Sequence, residues 1–200
     1  LQQGGLGARR RPVNLVGEQN IDEDRPGTEH MAALLGMPLR ELGGGVPALV
    51  TPEPEAALCE GLSEQPFGVE MVLEPLWSIE EAPDVEVLGR FGDGSPGAAA
   101  IRHGGGLTVY IGTLNAPARL LRNVLRASGV HVYLDSDDLL LTDGEFLSVT
   151  ASSEGEKAVA LPTASLAQRI MPETAPLGNV VSFTERFAEG ETRFYQIGIE

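Results

Sequence analysis

A glycine-rich string that follows a histidine is the first candidate for chemistry in this sequence. His103 precedes three consecutive glycines, the pattern with which esterase backbones bind an oxyanion. Such a site also needs a serine nucleophile in the pattern Gly-x-Ser-x-Gly. The nearest serine is Ser95, and Asp93 stands where the first glycine belongs. Because the nucleophile pattern is incomplete, we expect residues 103–106 to form a turn between two strands.

The chain contains one cysteine, Cys59. A cysteine nucleophile needs a partner histidine and a tight turn with flanking glycines, whereas the neighbours of Cys59 are Leu58 and Glu60. A single cysteine also excludes an internal disulfide and a cysteine metal cluster. We therefore expect Cys59 to be a small buried apolar residue and predict no catalytic residue in this chain.

A first acidic group carries the oxygen ligands that hard cations prefer. It consists of Asp135, Asp137 and Asp138. An EF-hand calcium loop does not fit, because Leu139 and Leu140 occupy positions where that loop needs other residues. The sequence favours a solvated turn here, and we predict no metal and no cofactor.

A second acidic group precedes and opens a predicted helix. Its candidate ligands for a metal ion or a sugar are Glu18, Asp22, Glu29 and His30. Acids at a helix N-terminus are also stabilised by the helix dipole, and this is the interpretation that we favour. Phe67 and the single tryptophan, Trp77, are candidates for a sugar-stacking platform. For Trp77, in a predicted proline-rich loop, a contact with another domain is the favoured alternative.

The charge and length of the chain limit its partners. The formal net charge of −15 disfavours nucleic acid, and Arg9–Arg11 are expected to be a solvated tail. No apolar run approaches the ~20 residues that span a bilayer. The sequence begins at Leu1, so we expect a processed or excised piece. Bacterial cytoplasm and a secreted or periplasmic location both stay open.

The elements that would position these residues change in character along the chain. Residues 1–12 are predicted to be a flexible lead-in, and 13–134 an α/β domain. Within that domain we predict a strand at 13–16, a helix at 28–35, a hairpin at 98–112, a helix capped by Asn115, and a strand at 130–134. Residues 135–200 are predicted to be an antiparallel β domain, with hairpins at Asp143-Gly144 and at 188–191.

One stretch of this pattern resembles a known family. Val87–Phe91, Pro96–Arg102 and Gly106–Thr113 are similar to the terminal hairpin of class I glutamine-amidotransferase-like domains. Within that class they resemble the beta-galactosidase trimerisation type of bacterial glycoside-hydrolase-like proteins. The tail, from Phe146-Leu147 to Phe194-Tyr195, resembles the small β domain that follows in those proteins.

The resemblance implies an incomplete flavodoxin-like sheet followed by a small antiparallel β-sandwich-like domain. It further implies the C-terminal part of a beta-galactosidase-like protein, whose catalytic barrel and carboxylates lie outside these residues. The predicted function is therefore a non-catalytic structural or oligomerisation module that contacts other domains or subunits, with a homo-oligomer as one form. A carbohydrate-binding accessory module is the alternative, and a hydrolase or amidotransferase-type enzyme ranks last.

Overall fold

The computed structural model describes residues 13–16 and 28–198, and the chain divides into two units, 1–130 and 131–200. In chain order, unit 1 contains β1 (Val13–Val16), α1 (Thr28–Leu35), β2 (Leu39–Leu42), β3 (Pro47–Pro52), a single 3₁₀ turn (Ala57–Cys59), β4 (Phe67–Val72), β5 (Leu76–Ile79), β6 (Val85–Arg90), β7 (Pro96–His103), β8 (Gly106–Ile111) and α2 (Ala118–Ala127). The predicted lead-in, 1–12, lies outside the described residues.

Unit 1 is built on a six-stranded sheet with the order β1-β8-β7-β6-β3-β4. Only the contact between β1 and β8 is parallel, and the other neighbours are antiparallel. A separate two-stranded sheet pairs β2 with β5. The described chain is therefore β-rich with few helices, rather than a regular alternation of strands and helices.

The hairpin of β7 and β8 lies inside this sheet. Its turn is formed by Gly104 and Gly105, whose φ angles of 55° and 84° favour glycine. Side chains of a strand alternate between its two faces. Accordingly Ala98 packs in one apolar cluster and Ala99 in another. The predicted turn at 103–106 is confirmed.

Each helix covers one of these two clusters. Leu120 and Val124 of α2 are buried in the first cluster. Met31 and Leu35 of α1 are buried in the second, together with Trp77. The helices have 8 and 10 residues, and within residues 28–198 no helix has the length and apolar composition to cross a membrane.

Two local predictions in unit 1 are wrong. Asn115 does not cap α2: it has φ 57°, and Pro117 occupies the cap position in an extended conformation. The segment between Pro75 and Pro83 is not only a loop, because it contains β5. The flanking prolines suggested a loop, and the partner strand of β5, β2, is far away in sequence. The strand could therefore not be predicted from its own neighbourhood.

Unit 2 is a single antiparallel sheet of five strands. They are β9 (Leu139–Thr142), β10 (Phe146–Thr150), β11 (Gly155–Met171), β12 (Ala175–Phe187) and β13 (Thr192–Ile197), in the order β12-β11-β13-β10-β9. The antiparallel β character is confirmed. The described strands form one curled sheet around a core of apolar residues from all parts of the unit, rather than two separate sheets.

Two strand predictions near and in unit 2 are wrong. Residues 130–134 form no strand; only Leu134 makes an isolated bridge, with Val159. The predicted hairpin at 188–191 turns the chain, but β13 pairs with β10 and β11 instead of β12. The β10–β13 pairing continues into the turn: Gly190 N–H donates to Ala151 O at 2.8 Å, and Ala151 N–H donates to Glu191 O at 2.9 Å. The chain after the turn therefore lies beside β10, while β12 pairs with β11.

Leu35→Ala and Leu34→Ala test the packing of α1 with a matched pair. Leu35 is fully buried against the cluster of Trp77, while Leu34 is 48% exposed. We expect Leu35→Ala to lower the free energy of unfolding by about 2–5 kcal/mol, and Leu34→Ala by less than about 0.5 kcal/mol. Urea denaturation followed by the fluorescence of Trp77 measures both. Equal losses would contradict the packing.

Candidate functional site

The first pair of candidate groups, His103 and Ser95, flanks opposite ends of β7. That strand has 8 residues, so the two side chains are separated by roughly 25 Å. His103 Nε2 lies 3.4 Å from Thr108 Oγ1, and Ser95 Oγ donates to Asp93 Oδ1 at 2.5 Å. The geometry does not bring a serine nucleophile to this histidine.

Cys59 is buried beneath strand β6. Its Sγ donates to Leu88 O at 3.1 Å, and only 4% of the residue is exposed. Burial, together with the charges of Glu86 and Glu53, raises the pKa of the Cys59 thiol to about 11, against a weaker opposing backbone hydrogen bond. The residue is therefore a neutral thiol at pH 7, and the prediction of a buried apolar cysteine is confirmed.

Among the described residues, the remaining sequence candidates lie in separate places. Glu18 and Asp22 lie outside the described residues, and Glu29 and His30 are exposed in the first turn of α1. Phe67 and Trp77 are 9% and 8% exposed, and they pack in different apolar clusters. They do not form a shared exposed platform. Within residues 28–198 no group of three or more His, Cys, Asp or Glu side chains is arranged to hold a metal ion.

Asp138 forms a buried ion pair that the sequence analysis missed. Its Oδ1 lies 3.1 Å from Lys157 Nζ, and the side chains are 0% and 6% exposed. Oδ1 also accepts hydrogen bonds from Ser152 N–H at 2.7 Å and Ser152 Oγ at 2.9 Å, and Ser136 Oγ donates to Oδ2 at 2.5 Å. The prediction of a solvated turn is wrong for Asp138, because its carboxylate anchors the entry into unit 2.

This environment changes the acidity of Asp138. Burial alone raises the pKa of its carboxyl, but the hydrogen bonds from Ser136, Ser152 and Lys157 outweigh burial and lower the pKa to about 2. The lysine in turn donates to Ser153 Oγ at 3.2 Å. The pair thus has partners on both sides, which makes it a structural anchor of the fold.

A second charged network lies on the sheet of unit 2. Glu185 accepts from Arg169 at 2.5 Å, from Arg193 at 3.0 Å and from Tyr195 Oη at 2.6 Å. Burial, followed by the bond to Glu185, raises the pKa of Tyr195. The guanidinium of Arg193 also lies 4.4 Å from the centre of the Phe187 ring. These residues stabilise the contact between three strands.

A cleft with charged walls lies in unit 1 and has a volume of about 420 Å³. Its lining residues are Arg40, Ile79, Glu80, Glu81, Asp93, Gly94, Ser95 and Pro96. Pairing of β2 with β5 brings Arg40 close to the end of β5, and Glu80 N–H donates to Pro38 O at 2.9 Å. The turn between β6 and β7 closes the other side. No local sequence signal indicated this cleft, because its residues come from three separate segments.

Arg90 holds the walls of this cleft in place. Its guanidinium contacts Glu53 and Glu81, each at 2.6 Å, and donates to Gly94 O at 3.0 Å. The hydrogen bonds to Glu81 and then Glu53 raise the pKa of Arg90. Burial raises the pKa of Asp93, but hydrogen bonds from Ser95 and the charge of Arg40 lower it overall. The cleft therefore presents the hydrogen-bonded carboxylates of Glu81 and Asp93, and the exposed carboxylate of Glu80, beside the guanidinium of Arg40, which suits hydrogen bonding to a polar ligand.

Comparisons with known proteins find a fold relationship. No protein-family model matches the chain, and no curated protein matches it. A beta-galactosidase from Bacillus circulans sp. alkalophilus is similar, with TM-score 0.51 and 13% identity over 84% of this chain and 25% of that chain. At this identity the likeness is one of fold.

Two further solved structures have lower TM-scores. A beta-galactosidase from Rahnella sp. R3 has TM-score 0.47 and 18% identity, over 82% of this chain and 24% of that chain. A catalytic mutant of a GH42 beta-galactosidase from G. stearothermophilus has TM-score 0.45 and 11% identity, over 84% of this chain and 25% of that chain. The chain therefore spans about a quarter of the length of the structures that it matches.

Asp138→Asn tests the buried anchor. At pH 7 we expect a loss of about 2–4 kcal/mol in the free energy of unfolding, because Lys157 is left as an unpaired buried charge. The folded-state pKa of Asp138 lies below its unfolded value of about 3.9, so the stabilisation is present above pH ~4 and is lost as the pH falls toward about 2.

Denaturant titrations of both proteins from neutral pH to pH ~2 measure this effect. The difference between wild type and Asp138→Asn should shrink across the acid range, since the wild-type carboxyl becomes protonated. Asp138→Asn/Lys157→Met provides the control: with no buried charge left, it should be more stable than Asp138→Asn. A difference between wild type and Asp138→Asn that does not change with pH would refute the ion pair.

Proposed function

We propose that this chain is a structural module, with no catalytic site of its own, of a larger glycoside-hydrolase-like protein. The observation that carries the proposal is that the candidate reactive groups have structural partners. The Cys59 thiol donates to a backbone carbonyl, Ser95 is held by Asp93, and Asp138 is paired with Lys157. The likeness in fold to a quarter of a beta-galactosidase chain supports the larger context.

The more specific part of the proposal concerns the domain types. In this proposal unit 1 is an incomplete flavodoxin-like domain of the amidotransferase-like, trimerisation type, and unit 2 is its small β domain. Support comes from the parallel pairing of β1 with β8 and from the helix α2 that follows β8 and covers one apolar cluster. The domains or subunits that it contacts belong to the same parent protein.

An activity screen of the full chain tests the absence of a catalytic site. We expect no turnover of chromogenic β-galactosides, esters or glutamine, because Cys59 is a buried neutral thiol and Ser95 has no histidine partner. Cys59→Ala and Ser95→Ala should give the same background rate as wild type. Hydrolysis that either substitution abolishes would overturn the proposal.

A carbohydrate-binding role is the second candidate, and the charged cleft of unit 1 favours it. Glu80, Asp93 and Arg40 present acceptors and donors around a volume of about 420 Å³, which is large enough for a small sugar. Sugar hydroxyls both donate and accept hydrogen bonds, so a wall of carboxylates with a guanidinium matches them. The favoured ligand is neutral and polyhydroxylated.

Calorimetric titration with galacto-oligosaccharides and plant polysaccharide fragments tests the cleft. Glu80→Gln should weaken binding about tenfold, because a carboxylate acceptor on the cleft wall is lost. Glu64→Gln is the matched control, since Glu64 is an exposed glutamate outside the cleft. The Glu64→Gln variant should bind the sugars with the affinity of the wild-type chain. No heat with any of the sugars, or equal affinity in both variants, would exclude this role for the cleft.

A further inference from the structure

The charges at the charged cleft of unit 1 do not balance. Among the described residues, four carboxylates and two guanidinium groups line the cleft or bond to its walls. The carboxylates belong to Glu53, Glu80, Glu81 and Asp93, and the guanidinium groups to Arg40 and Arg90. All six groups are ionised at pH 7, so the carboxylates exceed the guanidinium groups by two negative charges.

The two guanidinium groups already face carboxylates of the chain. Arg90 contacts Glu53 and Glu81, each at 2.6 Å. Burial raises the pKa of Asp93, but hydrogen bonds from Ser95 and the charge of Arg40 lower it, so Arg40 lies in the field of this carboxylate. The side chain of Glu80 is exposed and forms no ion pair within residues 28–198. The excess charge is therefore most accessible at Glu80.

The sequence around the cleft adds to this negative field. Residues 41–89 contain eleven acidic residues and no lysine, arginine or histidine. This segment includes β3, β4 and β5, and it supplies the cleft wall at 79–81. A cleft concentrates the field of its walls, and charges act over about 30 Å at 0.01 M salt but only about 8 Å at 0.15 M. A ligand in the cleft therefore meets a negative potential that salt weakens.

We propose that the charged cleft rejects acidic sugars and that Glu80 sets this selectivity, which names the ligand class of the carbohydrate-binding role proposed above and rests on that role. A sugar hydroxyl donates to a carboxylate and accepts from a guanidinium. A uronate or sulfate group on the ligand can only accept, so it cannot bond to the carboxylates of Glu80 and Asp93 and is repelled by their charge. The ligands of the cleft are glycans without such groups.

Calorimetric titration of the full chain with three galactobioses tests the selectivity. They differ only at C6 of the terminal ring, which carries a hydroxyl group, carries an amino group or is a carboxylate. At about 10 mM salt the carboxylate form should bind at least about tenfold more weakly than the hydroxyl form, and the ratio should shrink at about 0.5 M salt. The amino form should bind at least as tightly as the hydroxyl form.

The three ligands separate charge from shape. If the amino form binds as weakly as the carboxylate form, the size of the C6 group decides and the inference is overturned. A carboxylate form that binds as tightly as the hydroxyl form, or more tightly, also overturns it, while the sugar-binding role stands. If none of the three binds, the sugar-binding role fails and this inference fails with it.

Glu80→Gln tests the residue that sets the selectivity. The readout is the ratio of the dissociation constants of the carboxylate and hydroxyl forms, which a general loss of affinity leaves unchanged. Glutamine keeps the size of the side chain and removes one negative charge, so this ratio should fall at least about threefold. Arg40→Gln removes a positive charge from the same cleft and should raise the ratio.

Glu64→Gln is the matched control for charge. It changes the net charge of the chain by the same amount as Glu80→Gln, at an exposed position outside the cleft. In about 0.15 M salt, where distant charges are screened, its ratio should equal that of the wild-type chain. An equal fall of the ratio in Glu64→Gln and Glu80→Gln, or no fall in Glu80→Gln, would overturn the role of Glu80.

Discussion

The small residues of strand β7 allow side chains of unit 1, such as Val50 of β3 and Phe91, to pack closely against its backbone. A Cβ on Gly97 would lie 2.7 Å from Val50 Cγ2 and 3.0 Å from the Phe91 ring, so only glycine fits there. Ala98 and Ala99, both fully buried, continue this strip of small residues toward the two apolar clusters. Because larger side chains would separate β3 from β7, the close packing of the sheet depends on these small residues.

The same packing fixes the charged cleft. Pro96 O, at the start of β7, accepts from Ser78 Oγ at 2.9 Å, which ties the two-stranded sheet to the main sheet. Arg90 then reaches Gly94 O in the turn before β7 and Glu81 after β5. The geometry of the cleft is therefore a consequence of backbone positions, and two of its carboxylates, Glu81 and Asp93, are held by hydrogen bonds within the fold.

Turns were predictable because their signals are local. The Asp143-Gly144 hairpin forms because Asp143 Oδ1 accepts from the N–H groups of Glu145 and Phe146, all within one turn. Pairings and sites that join distant segments were not predictable from the sequence. The placement of β13 depends on bonds to Ala151, and the burial of Asp138 depends on Lys157 in a later strand. The residues next to Ala151 and Lys157 in the sequence give no signal for either pairing.

Lys157 is the only lysine in the sequence, and its ammonium group is almost fully buried beside Asp138. Reagents and enzymes that acylate or conjugate lysine side chains therefore have no accessible target on the folded chain. All other basic side chains apart from the three histidines are arginines, whose guanidinium groups stay protonated in proteins. The exposed positive charge of the molecule is consequently insensitive to alkaline pH, and reaction of Lys157 with an amine-specific label would report local opening of unit 2.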